Sequence, residues 1–145
     1  MIVVWRTEAD IAALRAADVD SRELQDDGTL WLGRVVEKPW GQECEIYRAG
    51  AVSITRLVIN ACAETSLHCH PRKSAILIVE SGSCDVALLD RTAVLYAGES
   101  LAISHGVFHR VSTRDGVTLI EVEAPANKRD LVRIGDRYGR SGMGY

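Results

Sequence analysis

From Thr29 onward the chain is a succession of short runs in which apolar and polar residues alternate or β-branched residues cluster. Such runs suit strands, whose successive side chains face opposite ways. The pattern predicts strands over 29–36, 43–47, 52–59, 74–80, 84–89, 93–96, 100–103, 109–112 and 117–123. Between them fall Pro39-Trp40-Gly41, Ala49-Gly50, Ser81-Gly82-Ser83, Ala97-Gly98-Glu99 and Arg114-Asp115-Gly116, residues that favour turns. Many short strands with little helix imply an all-β sandwich or barrel. Ahead of them, Thr7 and the alanine-rich stretch to Ala17 predict one short N-terminal helix with Thr7 as its cap. No repeat or linker divides the chain. The expected layout is a single domain: a helix-bearing extension over 1–28, a barrel over 29–140 and a mobile tail over 141–145.

One run departs from simple alternation. Ser74-Ala-Ile-Leu-Ile-Val79 is apolar on both faces, although one face suffices to line a barrel. Its outer face needs a cover, which predicts a homodimer, the alternative being the N-terminal helix or an arm such as Met1 to Trp5.

Composition narrows the function. The 145 residues are 47% hydrophobic and 26% charged, with a net charge of -3, so there is no basic footprint for nucleic acid or an anionic membrane. The N-terminus lacks a cationic segment followed by a long apolar run, and no stretch reaches membrane-spanning length; a cytoplasmic protein is expected. Cys44, Cys62, Cys69 and Cys84 show no C-x-x-C spacing and are expected as reduced thiols.

The histidines carry the candidate chemistry. All four lie in two clusters, His68-Cys69-His70 and His105-Gly-Val-Phe-His109. Two imidazoles in an H-x-H pair point to one side of a strand, and a third ligand from a later strand would close a metal site. The same alternation turns Cys69 away from the pair. His105 is either a fourth ligand or a turn residue.

This pattern resembles the cupin superfamily, a double-stranded β-helix or jelly-roll barrel. Its first motif carries H-x-H, a glutamate and a glycine; His68, His70 and Gly82 match, while the glutamate place falls on Ser74 or Ala75. Its second motif is matched by Gly98, Gly106 and His109, with Ser104 and Thr113 in place of proline and asparagine. Within cupins the chain is most similar to the mannose-6-phosphate isomerase domain, alone or fused to mannose-1-phosphate guanylyltransferases. Lys38-Pro-Trp-Gly41 resembles that family's R/K-P-W-G, Leu119-Ile-Glu-Val122 its L-I-E-V-Q strand, and Asp130 to Arg140 its D-I-V-R-x-x-D-x-Y-G-R signature. The resemblance spans roughly Val36 to Arg140. Three features depart from it: His68 stands where the family has glutamine, Ala75 where it has its acidic ligand, and Ala61-Cys62 where it has a Pro-Gly turn.

The resemblance implies one divalent metal ion (Zn, Fe, Mn or Ni) on His68, His70 and His109, with open positions for an anionic ligand. It implies isomerisation or epimerisation of a sugar phosphate or related carbohydrate. That chemistry needs a base beside the metal. Glu64, just ahead of the histidine pair, and Glu121, on a face that could line the barrel, are the candidates; Glu123 is expected on a solvated face. Lys73, Arg137 and Arg140 are the candidate phosphate ligands. Two alternatives stay open: a carbohydrate-binding or regulatory cupin that lost catalysis with its carboxylate, and a three-histidine Fe(II) dioxygenase.

Overall fold

The computed structural model describes residues 7–16, 33, 35–140 and 142–143. Among the described residues a short helix, α1 (Glu8–Ala16), precedes eleven strands. In chain order these are β1 (Val35–Lys38), β2 (Gly41–Ala49), β3 (Val52–Ile59), β4 (Leu67–Cys69), β5 (Ser74–Leu88), β6 (Thr92–Tyr96), β7 (Ser100–Ile103), β8 (His109–Ser112), β9 (Val117–Ala124), β10 (Val132–Gly135) and β11 (Gly142–Met143). All paired strands are antiparallel. The expected all-β barrel with a short N-terminal helix is what forms.

Two of the predicted strands are one. Residues 74–80 and 84–88 belong to β5, which leaves out Leu89 of the second predicted strand, and Ser81-Gly82-Ser83 is a bend within it instead of a turn ending it. The N-terminal half of β5 pairs with β7 and β9, while its C-terminal half pairs with β6 and β8. The register against β9 shifts between Val79 and Ser81, as at a β-bulge, and so one strand passes from one sheet to the other. Gly82 is required there: its φ is +82°, and a Cβ would lie 2.4 Å from the Gly116 carbonyl oxygen.

The first sheet runs β1-β2-β3-β9-β5-β7, and the second joins β6, β5, β8, β4, β10 and β11. Alternation places Leu57, Ile59, Leu77, Val79, Val86, Val111, Val117 and Leu119 inward, where they form the apolar core with Trp40. Fully burying such a side chain contributes about 1.5–3 kcal/mol each. Toward the other end of the barrel the same inward faces turn polar, with Ser53 and Thr55 of β3, Glu43 and Glu45 of β2, and Glu123 of β9 all buried. Polar residues at positions that alternation sends indoors mark the end of the barrel built for chemistry.

The family-like signatures have structural reasons. In Lys38-Pro-Trp-Gly41, Trp40 enters the core, and Gly41 (φ +146°) lies so close to β3 that a Cβ would be 2.0 Å from the Val58 oxygen. Cys62 adopts φ +57°, the left-handed region that favours glycine, at the place of the family's Pro-Gly turn. Strands β4, β10 and β11 carried no periodic signal, being two to four residues long. β11 lies within the expected tail and pairs with β10. Of the predicted strand 29–36, only 33, 35 and 36 are described; the arm Met1 to Trp5 and residues 17–32 lie outside the described residues.

Candidate metal centre

β4 and β8 lie side by side with His68 opposite His109, and His70 follows β4 by one residue. The three rings converge, with centroids 4.6 to 5.6 Å apart. One nitrogen from each lies within 4.8 Å of the others. Each ring also directs Nδ1 at a backbone carbonyl: His68 at Ser66 (2.8 Å), His70 at Asp130 (2.7 Å) and His109 at Val107 (3.0 Å). A carbonyl only accepts, so each Nδ1 carries the proton and each Nε2 keeps its lone pair. Three imidazoles of fixed tautomer with gathered lone pairs fit a divalent ion.

Burial disfavours charge on these rings. His70 is pushed down to about 4 by burial and then by the Lys73 charge, His68 well below its ordinary value by burial and the neighbouring imidazoles, and His109 downward mainly by burial. All three are neutral, as ligands must be, at ordinary pH.

A second set of contacts holds His70. The Asp130 carboxylate accepts the amides of Arg72 and Lys73, both at 2.9 Å, while the Asp130 carbonyl accepts the imidazole proton. The Gly106 amide donates to the His70 carbonyl at 2.7 Å, so the β7–β8 loop clasps the same residue.

The pocket over this centre brings together some predicted residues and leaves out others. His68, His70, Lys73, Glu121 and Arg140 line it. Glu121 is pushed up to about 7, by burial first and the Glu123 charge second. Glu123 was expected on a solvated face and is instead 1% exposed, because alternation puts it on the inward side of β9 with Leu119 and Glu121. There it accepts a short hydrogen bond from Lys73 Nζ and another from Ser53 Oγ at 3.0 Å. It also lies directly across the ladder from Ala75, where the family's carboxylate is missing.

Glu64 does not line the pocket; it bridges to Ser112 and pairs with Arg110 at 3.2 Å. Arg137 is exposed, donating to the Cys62 carbonyl at 3.1 Å. His105 is exposed and outside the triad, as befits a turn residue; Cys69 is buried and also outside it. Sequence reasoning missed Lys38, Glu43, Lys128 and Arg133, which line the pocket, and Asp130. The matched signatures contained Lys38, Asp130 and Arg133 and could have flagged them.

A small jelly roll with a three-histidine centre is the architecture of a cupin, and solved structures bear this out at the level of fold. KdgF from Halomonas sp. (18% identity, TM-score 0.61, covering 65% of this chain and 89% of that one) and an RmlC-like cupin from Shewanella frigidimarina (22%, 0.61, 67% and 87%) share it. Residues 25–136 match the mannose-6-phosphate isomerase C-terminal family, and the chain belongs to that family. Curated relatives include the xanthan biosynthesis protein XanB of Xanthomonas campestris, 31% identical over 112 residues. The alginate biosynthesis protein AlgA of Pseudomonas aeruginosa is 28% identical over 110. The first match covers 74% of this chain and 24% of the relative, the second 73% and 23%, so the chain spans about a quarter of their length.

Proposed function

We propose that this cupin binds one divalent metal on His68, His70 and His109 and isomerises or epimerises a sugar phosphate or related carbohydrate. The observation that carries this reading is the placement of Glu121, a carboxyl raised to about 7, in the pocket lined by His68 and His70, two of the three metal-ready imidazoles. Family membership and the names of the relatives, a xanthan and an alginate biosynthesis protein, support the substrate class.

When bound, the metal would supply the positive charge that polarises a carbonyl oxygen. Glu121, with its affinity for a proton near neutrality, takes the proton from the carbon beside that carbonyl and returns it to the neighbouring position. Lys73, neutralised by Glu123, keeps the pocket floor ordered. The test is proton exchange: metal-loaded protein is incubated in D2O with hexose and pentose phosphates and followed by NMR. Deuterium should enter beside the carbonyl in the native protein and not in Glu121→Gln. No exchange and no interconversion with any substrate tested would sink the reading.

Ala75 favours a second reading, a cupin that binds carbohydrate without turning it over; saturable binding without exchange selects it. The outer face of β5 supports a homodimer as the working form, since Ile76 and Ile78 are 43% and 36% exposed beside Val52. A monomeric mass by light scattering would count against that. Four free thiols suit a reducing compartment such as the cytoplasm. Among the described residues no helix is long and apolar enough to cross a membrane.

A further inference from the structure

One wall of the pocket carries positive charge that the proton-transfer chemistry does not use. Lys38 ends β1, Arg133 lies in β10 directly opposite His68, and Arg140 closes the C-terminal signature; all three line the pocket. Arg140 is fixed in place. Asp136, with a side chain 1% exposed, grips its Nε at 3.0 Å and a terminal nitrogen at 2.8 Å, while the guanidinium lies over the Tyr138 ring. Lys38 shares Glu43 with Lys128, at 3.8 and 3.7 Å.

Charge on this wall is in excess. Among the described residues, five cations line the pocket (Lys38, Lys73, Lys128, Arg133 and Arg140) against Glu43, Glu121 and Glu123. Asp136 behind Arg140 makes four carboxylates, so the balance is positive before any metal adds to it. Lys73 takes little part in that excess, being locked to Glu123 in the interior. Burial holds Lys38 below its ordinary value against the pull of Glu43, and the nearby Lys128, Arg140 and Arg133 charges add to it. Half-buried like charges gathered on one wall are unfavourable unless an anion completes them.

We propose that Lys38, Arg133 and Arg140 form the subsite for a phosphate monoester, immediately beside His68. This rests on the sugar-phosphate reading above and deepens it, placing the anionic end of the substrate on the β1–β10 wall and not on Lys73 or Arg137. Two guanidinium forks and an ammonium suit the three terminal oxygens and the charge of about -1.5 to -2 of such a group. Arg133 neighbours a metal ligand in register, so the phosphate and the group facing the metal belong to one compact molecule.

The subsite is tested in chelator-treated protein, where a metal cannot hold the anion, by calorimetric titration with inorganic phosphate and methyl phosphate at constant ionic strength. The native protein should bind both. Arg133→Met and Lys38→Met should each weaken binding by roughly tenfold or more, the loss of one charge-assisted contact. Arg133→Lys should fall between, and Arg137→Gln should bind as the native protein does. Circular dichroism checks folding; if Arg133→Met unfolds, Lys38→Met, on the edge strand β1, decides. No phosphate binding by the native protein, or affinities in folded Arg133→Met and Lys38→Met within about twofold of native, would overturn the proposal. The two readings fail separately. Phosphate binding without turnover leaves this subsite standing and removes the isomerase, whereas turnover with unchanged phosphate affinity in the variants removes the subsite alone.

Discussion

Asp130 accepts the Nδ1 proton of His70 through its own carbonyl at 2.7 Å while its carboxylate accepts two amides, Arg72 and Lys73, from the turn after His70. One residue therefore sets the ring of a candidate ligand and the backbone that follows it. Both amide bonds end on the same oxygen, Oδ2, so an asparagine can reproduce them and an alanine cannot. Asp130→Ala should lower zinc affinity by about 10–100-fold, the usual scale for losing a group that orients a ligand, and Asp130→Asn far less. Competition against a chromophoric chelator measures both, and equal losses would show that the carboxylate acts through its charge.

The two histidine clusters make a simpler prediction. His109→Ala should abolish retention of metal by protein purified without chelator, whereas His105→Ala, at an exposed position outside the triad, should leave it unchanged. Metal analysis by mass spectrometry decides. Unchanged metal in His109→Ala would mean that the centre is elsewhere.

In the metal-free protein, the histidines and Glu121 should pull stability in opposite directions with pH. His70 titrates near 4 when folded against 6.5 ordinarily, so as pH falls below about 6.5 the unfolded chain takes up protons that the fold refuses. That contribution is complete above 6.5 and lost on acidification. Glu121, raised to about 7 from 4.5, holds its proton longer in the fold, so its contribution is lost as pH rises from 4.5 to 7. Glu121→Gln removes the second trend, and urea unfolding should then show stability rising more steeply with pH between about 5 and 7 than in the native protein. Parallel curves would mean that the carboxyl titrates normally.

Two substitutions should move stability in opposite senses. Leu119→Ala, at a fully buried core position, should cost about 2–5 kcal/mol. Cys62→Gly should gain up to about 1 kcal/mol, because glycine adopts φ +57° without penalty. Denaturant midpoints for both check the core assignment and the turn; a destabilised Cys62→Gly would show that the thiol's contact with the Arg114 carbonyl outweighs the backbone strain.

The longer strands β2, β3 and β9 were legible because a period of two repeats often enough to register, and the four-residue β7 and β8 because turn residues stand beside them. Leu67–Cys69 and Val132–Gly135 are too short for that, and their pairing is nonlocal, so the two strands that carry or flank His68 had no signal of their own. Ser81-Gly82-Ser83 reads as a turn because a bulge uses the same residue types, and only the shared neighbour β9 shows that the strand continues. Glu123 misled for a related reason. Alternation put it inward with Glu121, but a carboxylate there is tolerable only with a partner, and Lys73 lies 50 residues earlier.

Residue types and spacing alone were enough to specify an all-β barrel, its family and the metal-ready histidines, because strand periodicity and the H-x-H pair are local properties of the chain. Which charged groups reach the centre was decided by the closing of the two sheets. That closure turned Glu64 and Arg137 away, locked Lys73 to Glu123, brought Lys38 and Arg133 to the pocket from opposite parts of the chain, and set Asp130 behind His70. Charges act through distances in space, and those distances exist only once strands far apart in sequence have paired.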